Sequence, residues 1–227
     1  MAHSVSKRIK RALYRFALRR AYRDLLEEEF ARRVVKSVTA SLGPFLDGRD
    51  FAGQTVSGIP SESGVILGDL AHALRRVARP ADTLLLAGER NSAKPAYGGI
   101  TGIPENRILT AGLHGDMDFA WDYETSPPKD IPPVHLIASH AMLEHLLDPY
   151  RHLSDCFGLL APGGHLAVHT VLPGFQYHRF PVDCLRFYPD WFEVAAQRLG
   201  AEVASRSVST EGHLVYCLRK PADRLSE

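Results

Sequence analysis

Apolar residues along this chain change their spacing twice, and the changes divide it. From Val5 to about Leu42 they recur three or four residues apart (Ile9, Leu13 and Phe16, then Leu26, Phe30 and Val34), with charged residues filling the gaps. That spacing predicts one long amphipathic helix or two shorter ones. Ser41-Leu-Gly-Pro44 and Leu46-Asp-Gly48 are breaker-rich, and Gly53 to Gly64 has the Gly, Ser, Thr and Pro density of a linker loop. Gly68 to Val77 returns to helical spacing and stops just before Pro80, where the chain disfavours helical backbone.

Beyond Pro80 short continuous apolar runs take over. Thr83 to Ala87, ending at Gly88, reads as a fully buried parallel strand; Arg107 to Ala111, ending at Gly112, reads as a second. Phe119 to Trp121 predicts a short third strand and Pro133 to Ala138 a fourth. A helix around Tyr150 to Leu160, a turn at Ala161-Pro-Gly-Gly164 and a strong strand at His165 to Val171 follow. Tyr188 to Leu199 is helical by spacing, and two closing runs, Glu202 to Val208 and Gly212 to Leu218, suit an antiparallel pair. Strands alternating with helices imply an α/β fold with a mostly parallel sheet. The expected organisation is a basic helical extension over residues 1–48, a linker and helix over 49–79, one α/β domain over 80–220, and a tail over 221–227.

Composition adds little to that picture, whereas charge placement adds more. The 227 residues are 45% hydrophobic and 23% charged, as in a soluble globular protein, and the net charge of +1 selects no polyanionic partner. The first 36 residues nevertheless hold eleven Lys or Arg against four Asp or Glu. This segment is open to three readings: packing over the domain as a lid or homodimer element, peripheral contact with an anionic membrane through arginines interleaved with Tyr14, Phe16 and Leu18, or phosphate binding. No recognition motif accompanies the charge, so nucleic acid is not expected as a partner. Cys156, Cys184 and Cys217 form no CxxC pattern and their odd number excludes a complete internal disulfide set. With no apolar run of about 18 residues and no secretory h-region, a cytoplasmic location is expected.

The second half of the α/β region carries a recognisable order of motifs. Ser139-His-Ala-Met-Leu-Glu-His145, Asp148-Pro149 and Leu159-Leu-Ala-Pro-Gly-Gly164 before a buried strand closely resemble the corresponding half of class I S-adenosylmethionine-dependent methyltransferases of the small-molecule type. His178 to Phe192 (HRFPVDCLRFYPDWF) is similar to a segment found in methyltransferases of glycan and lipid-linked sugar pathways. The resemblance spans about Thr83 to Cys217. It implies a Rossmann-like fold, S-adenosylmethionine as cofactor, and a small-molecule or saccharide-type acceptor methylated at oxygen. The alternative is a methyltransferase fold that has lost turnover and serves as a binding or scaffold subunit.

The first half departs from the family pattern. In this fold the first strand runs into an acidic residue and a Gly-x-Gly turn, because glycine lets the backbone pass close under the cofactor. Here the stretch is Ala87-Gly-Glu-Arg-Asn-Ser-Ala-Lys94, with Gly88 the one glycine and Arg90, Ser92 and Lys94 adding bulk. The cofactor site implied by the resemblance therefore consists of Gly88, Glu89 and Asn91. At the end of the second strand, where a carboxylate is usual, stands Gly112, with Asp116 and Asp118 as substitutes. Asp122 is expected at the adenine amino group with Trp121 against the ring, and His140 or Met142 at the pocket wall.

Methyl transfer to a hydroxyl needs an aligned acceptor and a proton acceptor. Histidine suits the latter near neutral pH. His178 with Asp183, and His145, lie after strands at the end of the sheet where α/β proteins bind ligands. The competing reading makes Asp183 and Arg186 an ion pair that only anchors the loop. No metal is expected: His140 and His145 are five residues apart, about 140° around a helix, so they share no face.

Overall fold

The structure is a computed structural model and describes residues 29–30, 32–34, 36–37, 59–61, 64–66, 68–179, 182–209 and 211–222. The expected helical extension over 1–48 falls mostly outside these; the described residues at 29–30, 32–34 and 36–37 are helical. The tail beyond residue 222 also lies outside them. A short antiparallel hairpin, β1 (Ile59–Ser61) and β2 (Gly64–Ile66), sits within the stretch expected as linker.

Helix α1 (Gly68–Val77) follows the predicted bounds. Next come β3 (Leu84–Ala87), α2 (Lys94–Thr101), β4 (Ile108–Gly112), β5 (Phe119–Ala120) and β6 (Val134–His140). A 3₁₀ turn at Leu143–His145 leads to α3 (Pro149–Leu159), β7 (Leu160–Val171), α4 (Pro189–Leu199), β8 (Glu202–Val208) and β9 (His213–Arg219). Seven strands form one sheet in the order β5-β4-β3-β6-β7-β9-β8. Every contact from β5 through β7 is parallel, and β9 alone runs against its neighbours.

Side chains along β3 explain the two layers. Leu84 and Leu86 join one apolar cluster with Leu70 and Leu74 of α1 and Tyr97 and Ile100 of α2. Leu85 and Ala87 join the other, with Leu153 and Cys156 of α3 and Phe192 of α4. Alternation along a strand sends neighbours to opposite faces, and a strand buried on both faces must be apolar throughout. Leu70 and Leu74 are fully buried in the same core as the sheet, so the packed unit begins ahead of residue 80.

Two local differences from the sequence expectation have simple causes. The stretch after Gly88 is more than a connection: Lys94–Thr101 is helical, Pro95 standing in the first turn where a missing N–H costs nothing. Ala161-Pro-Gly-Gly164 is not a separate turn ahead of the strand but lies inside β7, at an irregularity in its pairing with β6.

The strand order reverses between β3 and β6. Their carboxyl ends, with those of β4 and β7, open the crevice where sheets of this type take ligands.

Candidate functional site

At the end of β3 the chain turns at Gly88 with φ +91°, a conformation that costs a side-chain-bearing residue strain. A Cβ there would lie 2.4 Å from the Met142 Sδ. One strand over, a Cβ on Gly112 would lie 2.6 Å from the Met117 Sδ. Two thioethers thus cover the two glycines that floor the crevice. Ala141, between His140 and Met142, has φ +52° and is the one described non-glycine residue with positive φ.

Glu89 is buried beside this turn. Its Oε1 accepts from the Tyr97 hydroxyl (3.3 Å) and lies 3.0 Å from His140 Nδ1. Burial, then the Glu89 charge, raises the Tyr97 phenol well above its ordinary value, which keeps it a donor. Asn91 turns toward β4, where its Oδ1 accepts from the Thr110 hydroxyl at 2.7 Å. Asp118 is bound up in the same network, its Oδ2 2.8 Å from Lys94 Nζ and accepting the Thr110 N–H at 2.9 Å. Burial raises the Asp118 carboxyl, but Lys94 and Thr110 together outweigh that and lower it. Asp118 therefore ties the loop to β4 through one carboxylate oxygen; Asp116 and Asp118 are both exposed.

The expected adenine contacts take a different arrangement. Trp121 is buried, its indole N–H donates to the Thr125 carbonyl (3.2 Å), and its ring meets Tyr123 edge-on. It belongs to the core, because a large apolar ring gains most from full burial once its N–H has a partner. Asp122 is exposed and caps a turn by accepting the Glu124 N–H at 3.0 Å.

Beyond His140 the crevice wall is a row of rings. His140 lies 5.0 Å from His169, and His169 Nε2 is 3.1 Å from His213 Nδ1. Burial first, then the neighbouring imidazoles, holds His169 well below its usual value, and burial also lowers His213. His169 Nδ1 has no hydrogen-bond partner among the described residues, and the Nε2–Nδ1 contact lets one proton be shared between the His169 and His213 rings. Phe175 bridges His213 and His178, at 5.0 and 5.3 Å, and His178 meets His145 at 5.0 Å.

The far end of the row gathers Glu144, His145 and His178. Glu144 is fully buried, and its Oε2 accepts from the Thr170 hydroxyl at 2.8 Å. Its Oε1 has no hydrogen-bond partner among the described residues and lies 3.8 Å from His178 Nε2. The loop bearing His178 is clamped onto this point. Cys184 and Leu185 N–H groups donate to the Glu144 carbonyl, and the Asp183 Oδ2 accepts the His178 N–H at 2.7 Å. Arg186 closes the clamp, paired with both Asp183 oxygens and donating to the Gln176 carbonyl. Its guanidinium holds the Asp183 carboxyl down at about 2. Asp183 is thus an anchor of the loop as well as a neighbour of His178 Nδ1, 3.5 Å away.

Of the residues expected from sequence, the structure brings Gly88, Glu89 and His140 together at the switch point, and His145, His178 and Asp183 together beyond it. Asn91 and Gly112 sit at the neighbouring β4 end; Asp122 stands on a turn outside the core. Glu144, Thr170, His169 and His213 were not singled out. A histidine in the middle of the mostly apolar Leu166–Val171 run was the available signal for His169, but Glu144 and Thr170 meet only through the β6–β7 pairing. His145 and His178 stand 33 positions apart and meet only because the loop after β7 docks on the end of β6, a contact that no ligand spacing in the sequence displays.

The sheet order, the single reversed strand and the ligand crevice at the β3/β6 switch define the class I S-adenosylmethionine-dependent methyltransferase fold. Solved structures agree. An S-adenosylmethionine-dependent methyltransferase from Mesorhizobium loti superposes with TM-score 0.52 at 14% identity, over 66% of this chain and 96% of that one. The Burkholderia thailandensis 1,6-didemethyltoxoflavin-N1-methyltransferase, solved with 1,6-didemethyltoxoflavin and S-adenosylhomocysteine, gives 0.53 at 14% identity over 89% and 90%. The [4+2]-cyclase SpnF gives 0.53 at 12% identity over 85% and 97%. No model of a known protein family matches the sequence, and no curated protein matches it. Likenesses this remote establish the fold, and one fold hosts more than one chemistry.

Proposed function

We propose that this protein is an S-adenosylmethionine-dependent methyltransferase that methylates a hydroxyl of a small-molecule or saccharide-type acceptor, free or lipid-linked. The observation that carries this reading is the Gly88 turn at the β3/β6 switch point, with Glu89 and His140 converging on it. Gly88 gives the close backbone approach, Glu89 and Asn91 the polar contacts, and Gly112 the floor beneath the ribose. Met142 and Met117 are flexible and swing aside for the cofactor, as methionines in adaptable sites do.

In the transfer the acceptor oxygen attacks the sulfonium methyl in line. An O–C bond forms, the C–S bond breaks, and S-adenosylhomocysteine leaves as a neutral thioether. The hydroxyl proton goes to the Glu144, His145 and His178 group, where two imidazoles and a buried carboxylate face each other at the crevice. Asp183 and Arg186 position His178. The acidic and imidazole lining suits a hydroxylated acceptor better than a polyanion, whose phosphates Glu144 and Asp183 would repel.

Calorimetric titration with S-adenosylhomocysteine tests the reading. One site per chain is expected; no heat and no thermal shift at millimolar ligand would remove the enzyme and leave a scaffold subunit with a borrowed fold.

A further inference from the structure

We propose that Glu144, His145 and His178 form a binding site for a first-row divalent transition metal such as Zn²⁺ or Fe²⁺, with coordination positions left open for the acceptor hydroxyl.

One ligand atom from each of the three residues lies within 4.8 Å of the other two. Ligands held about 2.1 Å from a metal stand about 3.0–3.5 Å apart, so closing the site takes roughly an ångström of movement. The required contraction between Glu144 Oε1 and His178 Nε2, now 3.8 Å apart, is smaller still. His178 sits on a loop and its side chain is 31% exposed, so it has room to move.

The surroundings of each ligand point the same way. His145 Nδ1 faces the Val182 carbonyl, and His178 Nδ1 faces the Gln176 carbonyl at 3.2 Å. A carbonyl only accepts, so both Nδ1 atoms are the donors, which in the neutral ring leaves Nε2 as the atom with a lone pair to offer a metal. That is the arrangement by which metal-bound imidazoles are oriented from behind. Glu144 is oriented likewise: Thr170 holds Oε2, while Oε1 is fully buried, has no hydrogen-bond partner among the described residues and faces His178. Burying a carboxylate oxygen without a partner is costly, and a bound cation would offset that cost. Arg186 feels the Glu144 charge but is committed to Asp183 and the loop carbonyls.

Two imidazoles and one carboxylate match first-row divalent metals rather than Mg²⁺ or Ca²⁺, which prefer oxygen alone. Three protein ligands leave the sphere incomplete, the mark of a site that binds substrate. Resting on the methyltransferase reading, a bound cation would lower the pKa of an acceptor hydroxyl that entered the sphere, and in the metal-loaded protein that acidification would replace proton transfer to the imidazoles of the metal-free group.

Co²⁺ titration of the tag-free full chain after EDTA dialysis, followed by visible absorption and by Zn²⁺ competition, tests the site. One saturating equivalent is expected. His145→Ala, His178→Ala and Glu144→Gln are each expected to weaken binding by at least about 10-fold. His114→Ala, on the exposed loop after β4, serves as the control. Thermal unfolding of each variant separates lost binding from lost fold. No saturable Co²⁺ binding by the wild type, or binding that the His145 and His178 variants leave within about twofold, overturns the site. S-adenosylhomocysteine titration of the same samples keeps the two readings apart. Cofactor binding without Co²⁺ binding sinks the metal site alone, and Co²⁺ binding without cofactor binding upholds the metal site while sinking the methyltransferase.

Discussion

Gly88 answers to two demands at once, a left-handed backbone and the Met142 thioether over its missing side chain. Gly88→Ala is expected to cost about 1–2 kcal/mol in stability and to weaken S-adenosylhomocysteine binding at least about 10-fold. Chemical denaturation and calorimetry read the two effects separately. Ala141 presents the opposite case, an alanine at φ +52° where glycine carries no strain. Ala141→Gly is expected to leave stability unchanged or raise it by up to about 1 kcal/mol, the relief of strain offset by the wider freedom of the unfolded chain. His152 is buried with its Nε2 3.0 Å from the Ser139 hydroxyl, and burial pushes it down to about 4. Its folded value lies below its unfolded one, so its contribution is complete above about pH 6.5 and disappears as pH falls through about 4. Between those limits the wild type is expected to lose about 3 kcal/mol more stability than His152→Gln, as urea titrations at the two pH values would show. Equal losses would place the sensitivity elsewhere, with His169 and His213 the next candidates.

At the scale of elements, α1 and the loop after β7 lie on opposite sides of the question of what belongs to the domain. Leu74 of α1 has no exposed surface and packs in the cluster that covers one face of the sheet. Leu74→Ala is expected to cost about 3 kcal/mol while leaving S-adenosylhomocysteine affinity within about twofold, since the Leu74 side chain packs in the apolar cluster and not on Gly88, Glu89 or His140. The loop from Leu172 to Tyr188 hangs instead on Asp183 and Arg186. Arg186→Ala is expected to expose it to limited proteolysis many-fold faster with little change in the global unfolding midpoint; an unchanged cleavage rate would mean the ion pair does not hold the loop. The strands and α1, α3 and α4 could be read from spacing because their burial is continuous or one-sided. Helix α2 could not, since Pro95 and the Gly98-Gly99 pair read as breakers although Pro95 occupies a first turn and Gly98 packs close to the Ile103 carbonyl. Trp121 misled for a related reason: an aromatic beside an acid looks like a ring contact, and only the path of the chain shows that its indole N–H is already used.

Across the whole molecule, the ordered motifs from Ser139 onward identified the fold, and the sheet order agrees with them. What stayed hidden was the meeting of residues far apart in sequence: Glu144 with Thr170 and His178, and His169 with His213. These contacts come from strand order and loop docking, which no local spacing encodes. With Glu89 and His140 at the switch point and Phe175 between His213 and His178, they line the carboxyl edge as far as His145. No helix among the described residues is long and apolar enough to cross a membrane. On the proposed function a nucleoside-bearing sulfonium cofactor would lie over Gly88 and Gly112, and the two thioethers that cover these glycines report on it. The chain has only three methionines, Met1, Met117 and Met142, so methyl-labelled protein gives a carbon-13 spectrum simple enough to assign by single Met→Leu substitutions. Titration with S-adenosylhomocysteine is expected to shift the Met117 and Met142 signals together and saturably, leaving Met1 in place. Unmoved Met117 and Met142 signals at millimolar ligand would contradict the account.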